Sequence, residues 1–189
     1  MCLNTCILLA QKEEKNIESL STILREHGYY GLVTARDGLD AIKIFEEKSP
    51  SIAFVDTALP LADGLTVVSN VRKENKDCLI AVTSSAYDKA LVERAAGLGA
   101  DGFIIEPFSI DYVIPWLMVS YAEKRRQRMF RNEFDMLCSD FNEQLMLEKT
   151  IGMISEQNKM SYEQARAFIE KLSKEKEMPV SKIVQILQK

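Results

Sequence analysis

Five times in the first 120 residues a short apolar run is followed by a stretch whose apolar residues recur three or four positions apart. Residues 6–10 (CILLA), 31–35 (GLVTA), 52–55 (IAFV), 79–83 (LIAVT) and 102–105 (GFII) are the runs. Unbroken apolar runs of this length are expected of parallel strands covered on both faces. The intervening stretches have helical spacing. In residues 16–26 it is carried by Ile17, Leu20, Ile23 and Leu24, with Gly28 as the stop. Residues 39–48, 65–73 and 90–99 repeat the pattern, the last ending at Gly97 or Gly99. Regular alternation of this kind predicts an α/β fold, a five-stranded parallel sheet wound with helices on both faces. Ligand chemistry in such sheets gathers at the carboxyl ends of the strands, where the strand order reverses.

The pattern changes after Ser109. From Val113 to about Asn158 the only helix breakers are Pro115 and Gly152, so the segment is one long helix or two in series. Phe130, Phe134, Leu137 and Phe141 are spaced 4, 3, 4, the seam of a coiled coil. The segment is too long to be covered by one small domain, which favours a dimer seam over packing on the chain's own sheet. Two further helices follow. Ser161 with Gln164 forms a capping-box start, and Ala165, Phe168, Ile169 and Leu172 follow at helical spacing. Pro179 opens a final helix with Ile183, Ile186 and Leu187 assigned to its apolar face. The expected layout is an α/β domain over residues 1–120, a coiled-coil linker over 121–142 and a three-helix unit over 143–189.

Composition narrows the function classes. Of 189 residues, 47% are hydrophobic and 28% charged, enough apolar material for a packed core. A net charge of −4 argues against a generally basic nucleic-acid glove but leaves room for a local basic face. Cys2, Cys6, Cys78 and Cys138 are scattered and the only histidine is His27, so no metal-ligand spacing arises and the thiols read as reduced, in a cytoplasmic protein. The apolar start runs at once into Lys12, Glu13 and Glu14, which makes it a first strand and not a signal peptide. Nothing approaches the length of a membrane span. An independent enzyme is not expected, since no histidine lies near a nucleophile motif and no glycine-rich nucleotide loop is present.

Asp56 ends the third apolar run, and Pro60, Asp63 and Gly64 follow it. Thr83 and Ser84 end the fourth run, and LGADGFIIEPF leads into and out of the fifth. In these features the chain resembles a response-regulator receiver domain, a flavodoxin-like fold of two-component phosphorelays. The resemblance implies that Asp56 is the phosphoacceptor position, with Thr83, or Ser84 in the alternative register, as the switch hydroxyl. It also implies a sensor kinase or regulatory protein as partner. Phosphoryl transfer to a carboxylate brings anions together, so a working receiver uses Mg2+, two acids after the first strand and a lysine after the fifth. Here Gln11 and Lys12 stand at the acid positions, a shift of one register offers only Glu13, and Glu106 replaces the lysine. Phe103 stands at the aromatic switch position. The expectation is a receiver that has lost phosphorylation and needs no cofactor, with Lys12 lying beside Asp56 and Glu106 in place of a metal charge. Mg2+ enters only if the degenerate pocket still binds it; phosphorylation aided by Glu13 is the alternative.

Gly152, MSYEQA (160–165) and PVSKIVQIL (179–187) resemble the ANTAR domain, the three-helix RNA-binding unit of transcription antitermination regulators. That resemblance implies RNA hairpins as partners and a homodimer through the coiled coil. Ile151 and Glu170 stand where the family carries a lysine and an arginine, and residues 143–189 hold eight Lys or Arg against seven Glu. Candidate phosphate-facing cations are Lys149, Lys159, Arg166, Lys171 and Lys174, and the bland alternative is a solvated helix face. The same two readings apply to the most basic stretch, Lys124 to Arg128 with Arg131. Two functions therefore compete: an RNA-binding antiterminator, and a protein-interaction or dimerisation regulator without RNA. Neither membrane nor small-molecule substrate is expected.

Overall fold

The computed structural model describes residues 5–187; Cys2 and the other terminal residues lie outside them. Strands β1 (Ile7–Ala10), β2 (Leu32–Ala35), β3 (Ile52–Asp56), β4 (Leu79–Ser84) and β5 (Gly102–Ile105) form one parallel sheet in the order β2-β1-β3-β4-β5. Helices α1 (Glu14–Glu26), α2 (Gly38–Lys48), α3 (Gly64–Glu74) and α4 (Lys89–Gly97) connect them, and α5 (Ile110–Asn158) follows the last strand. This is the five-stranded doubly wound fold expected from the alternation.

Alternate strand residues feed two cores, as the period of 2 demands. Leu8, Ala53, Val55, Ile80 and Val82 face α2, α3 and α4 through Phe45, Val67, Val68, Val71 and Ala95. Ile7, Leu9, Phe54, Leu79 and Ile104 face α1 and α5 through Leu20, Leu24, Val113 and Leu117. Each such fully buried aliphatic side chain contributes about 1.5–3 kcal/mol. Helix α1 ends in a Schellman turn: Tyr29 N–H bonds the Leu24 carbonyl and Gly28 N–H that of Arg25, with Gly28 at φ +83°.

The chain divides into two compact units, residues 1–128 and 129–189, and the division falls within α5. The 49-residue α5 is one continuous helix, resolving the choice between one and two. In the second unit the end of α5 packs with α6 (Tyr162–Glu175) and α7 (Val180–Leu187) around Ile151, Ala165, Ile169, Ile183 and Val184. The capping box at Ser161 and Gln164 is formed, as expected. The apolar face of α7 differs from expectation. It is Val180, Ile183 and Val184, while Ile186 and Leu187 are exposed, because the i, i+3, i+4 stripe that meets Ile169 starts at Val180. Among the described residues, no helix is long and apolar enough to cross a membrane.

Candidate functional site

The strand order reverses between β1 and β3, so their carboxyl ends flank the crevice where ligands of such sheets bind. Asp56 is the last residue of β3 and Gln11 and Lys12 follow β1 directly. In register, Asp56 stands opposite Thr83. Topology therefore assembles Gln11, Lys12, Asp56 and Thr83 from positions up to 72 residues apart.

The residues around Asp56 explain themselves structurally. Asp63 is the N-cap of α3, its carboxylate accepting from Thr66 N–H at 2.7 Å. A Cβ on Gly64 would sit 2.2 Å from the Asp56 carbonyl oxygen, so only glycine lets α3 start against the end of β3. The Pro60 carbonyl accepts from Gly38 and Ala62 N–H. These are demands of the fold, present whether or not Asp56 reacts.

The polar centre is neutral where phosphoryl chemistry asks for charge. Gln11 is fully buried. Its amide nitrogen donates to the Thr83 hydroxyl at 3.1 Å and lies 3.3 Å from the Phe54 carbonyl, and its amide oxygen accepts from the same hydroxyl at 3.2 Å. The fully buried Thr83 hydroxyl thus both donates and accepts within this pair. Asp56 is buried too, with one oxygen accepting from Ala58 N–H at 2.8 Å and the other from Lys12 N–H at 3.3 Å. Lys12 meets Asp56 through its backbone N–H, and the residue is exposed. Ser84 is buried, and its hydroxyl accepts only a long 3.4 Å bond from Ala86 N–H. Thr83, not Ser84, is the hydroxyl joined to the centre.

Glu106 is half-buried and its N–H bonds the Ser84 carbonyl. Glu13 pairs with Lys15 at 2.6 Å, and that hydrogen bond holds the Glu13 carboxyl below its usual range. Lys15 is raised first by the same bond and also by the Glu106 charge. The Glu106 charge is thus felt at Lys15, a residue that sequence reasoning did not single out. The available signal was a lysine in the first turn of the helix after β1. Phe103 is half-buried against the α4 side of the sheet.

A divalent cation asks for several oxygen ligands, carboxylates foremost. Asp56 supplies the one buried carboxylate, the Gln11 amide is neutral and turned to Thr83, and Lys12 is a cation. Among the described residues, no group of three Asp, Glu, His or Cys side chains is placed to hold a metal. The residues present do not fit Mg2+.

In the second unit all five candidate cations are exposed. Arg166 pairs with Glu170 at 3.3 Å and Lys171 with Glu175 at 3.7 Å, along the same helix. Lys159 occupies the left-handed position after α5, at φ 50°. Ile151, at the position where a lysine was expected, is fully buried in the three-helix core. Two planar side chains, Tyr162 and Phe168, are partly exposed on α6. The Tyr162 hydroxyl donates to the Glu148 carboxylate, which holds its proton above the ordinary phenol range. Phe130, Phe134, Leu137 and Phe141 are each 63–67% exposed, an apolar stripe largely open to solvent among the described residues.

Comparison with known proteins agrees with this geometry. The chain is 23% identical over 181 residues to the transcriptional regulatory protein PdtaR of Mycobacterium tuberculosis, covering 96% of this chain and 88% of that one. It is 27% identical over 95 residues to the chemotaxis protein CheY of Bacillus subtilis, half of this chain and 79% of the relative. A CheY-like receiver domain protein from Methanospirillum hungatei superposes with a TM-score of 0.61 at 17% identity, covering 65% of this chain and 98% of that one. The family model for the response regulator receiver domain matches residues 7–115, more than half of the sequence, and the chain belongs to that family.

Proposed function

We infer that this chain is a response regulator whose receiver operates without phosphorylation of Asp56 and whose second unit is an ANTAR-like, RNA-binding output for transcription antitermination. The observation that carries the first half is the Gln11–Thr83 pair: a buried amide holds both bonding directions of the hydroxyl that a phosphoryl group would have to recruit. Similarity to a transcriptional regulatory protein over 96% of the chain supports a transcriptional output. The apolar stripe from Phe130 to Phe141 supports a homodimer through α5, since four large exposed side chains at seam spacing gain cover only from another chain.

The first half is tested with beryllium fluoride plus Mg2+ and with acetyl phosphate. The expected result is no mass shift at Asp56, and a shift that vanishes in Asp56→Asn would restore the conventional receiver. The second half is tested by titrating paired-hairpin leader RNA at several salt concentrations. Salt-dependent binding is expected, and its absence would leave the second reading, a protein-interaction or dimerisation regulator. That reading is favoured by the burial of Ile151 and by the Arg166–Glu170 and Lys171–Glu175 pairs, which neutralise two of the five cations locally.

A further inference from the structure

At the opposite end of the sheet from Asp56, a cavity of about 280 Å³ opens beside Cys78 and Leu79 at the amino end of β4. Ser51 lines it, five residues before Asp56 along β3, so the two sites are about 16 Å apart. Its wall on α5 is Tyr121, Lys124, Arg125 and Arg128. These continue the stripe of α5 that buries Val113, Ile114 and Leu117 against the sheet. A cationic continuation of a core-facing stripe is not what a solvated helix face requires; Arg126, which is such a face residue, is exposed and paired with Glu123 at 2.8 Å.

The charges around the cavity do not cancel. Lys124 donates to Asp101 at 2.8 Å, and Arg72 spends its guanidinium on Asp101 and on the carbonyls of Gly99, Lys76 and Cys78. Arg128 forms a long ion pair with Asp77 at 3.8 Å. Four cations thus meet two carboxylates: Asp101 is shared by Arg72 and Lys124, Asp77 pairs with Arg128, and the guanidinium of Arg125 adds a further positive charge to the cavity wall. The Asn75 side-chain oxygen is taken by Asp77 N–H and Cys78 N–H, which leaves its amide N–H groups as donors beside them. A concave site rich in donors, with two guanidiniums and an aromatic ring, matches a small phosphate-bearing anion, because guanidinium pairs with phosphate in a forked geometry.

We propose that the cavity bounded by Tyr121, Lys124, Arg125 and Arg128 binds a small anion carrying a phosphate group, inorganic phosphate or a phosphate monoester. Occupancy ties the last turns of α5 in the first unit to the amino edge of the sheet. A dissolved anion thereby acts on the helix that leads out of this unit without using Asp56.

The test is a titration of the full chain followed by amide chemical shifts, with inorganic phosphate and glycerol 3-phosphate as separate probes against sodium chloride at matched ionic strength. Saturable shifts at Cys78, Leu79 and residues 121–128 with either probe are expected, and the tighter probe distinguishes free phosphate from a monoester. Arg125→Ala should weaken binding about tenfold, the loss of one charge-assisted contact. Arg125 is exposed, so its removal leaves the fold intact, and Arg126→Ala should bind as the parent does. Identical shifts with sodium chloride, equal losses in Arg125→Ala and Arg126→Ala, or no saturable shift with either probe would each overturn the proposal.

Discussion

The two ends of the sheet each bury a polar cluster, and they satisfy it differently. At the carboxyl end Gln11 and Thr83 exchange neutral hydrogen bonds beside an Asp56 bound by two backbone N–H groups. At the amino end Asp101 lies between Arg72 at 2.7 Å and Lys124 at 2.8 Å, and one of its oxygens also accepts from Ile80 N–H. Gln11, Lys12 and Glu106 stand where the receiver resemblance implies two acids and a lysine. Where no phosphoryl chemistry is expected, charge is concentrated and tied into three elements. Motif residues such as Asp63 and Gly64 answer to capping and close approach, which the fold demands whether or not Asp56 reacts.

The strongest way to break this contrast is Asp101→Ala. It leaves Arg72 and Lys124, whose side chains are only 17% and 16% exposed, without their shared counter-charge. Stripping one partner from a buried charged set costs about 3–5 kcal/mol, and chemical denaturation should register it as a fall in midpoint at unchanged slope. At the other end, Gln11→Leu removes the partner of the Thr83 hydroxyl, which remains buried. That costs about 1–3 kcal/mol. The double variant with Thr83→Val should recover part of the loss, since removing both partners leaves no orphan. If Gln11→Leu costs as much as Asp101→Ala, the contrast between neutral and charged ends fails.

How much of this was visible beforehand depends on the physical range of each signal. Strands such as Ile52–Asp56 were legible because both faces are buried and every residue is apolar up to Asp56. The substitutions at Gln11, Lys12 and Glu106 were legible because they sit in fixed register with Asp56. What Gln11 does was not, since its bond to Thr83 depends on three adjacent strands and a rotamer. The bond from Lys12 N–H to Asp56 was not legible either, since it depends on how the chain turns after β1. The Arg72–Asp101–Lys124 set left no local trace, its members being 29 and 23 residues apart. The basic run at 124–128 offered two readings, RNA contact or a solvated face, and Lys124 follows neither, because α5 turns it toward the sheet and Asp101. The face of α7 was misjudged at Ile186 and Leu187 because an eight-residue helix carries too few turns to define its stripe alone.

A smaller effect sharpens the charged end through pH. Cys78 is buried beside the Arg72 cluster, and burial pushes its thiol from the ordinary 9.0 up to about 12. The unfolded chain releases this proton near pH 9 while the folded chain keeps it, so the unfolded state binds fewer protons between pH 9 and 12. Stability from this group is whole below pH 9 and is lost as pH rises through 12, at about 1 kcal/mol per pH step. Cys78→Ala should flatten that stretch of the curve relative to the parent. An unchanged difference between the two proteins from pH 8 to 11 would mean that the thiol is not held in an apolar setting.

The smallest effect decides which hydroxyl belongs to the carboxyl-end cluster. Thr83 and Ser84 are neighbours on β4 and both are buried, so burial does not separate them. Their bonds do. Thr83 shares two bonds near 3.1 Å with Gln11, whereas Ser84 accepts one bond at 3.4 Å from a loop N–H. A neutral hydrogen bond of good geometry contributes about 1 kcal/mol, and one at the limit of range much less. Ser84→Ala is therefore expected to cost under about 0.5 kcal/mol, and Thr83→Val two to three times that because it also leaves the Gln11 amide oxygen bare. Urea midpoints for the two variants measure the difference directly. Equal costs would place Ser84 in the cluster and break the assignment of Thr83 as the hydroxyl that Gln11 has captured.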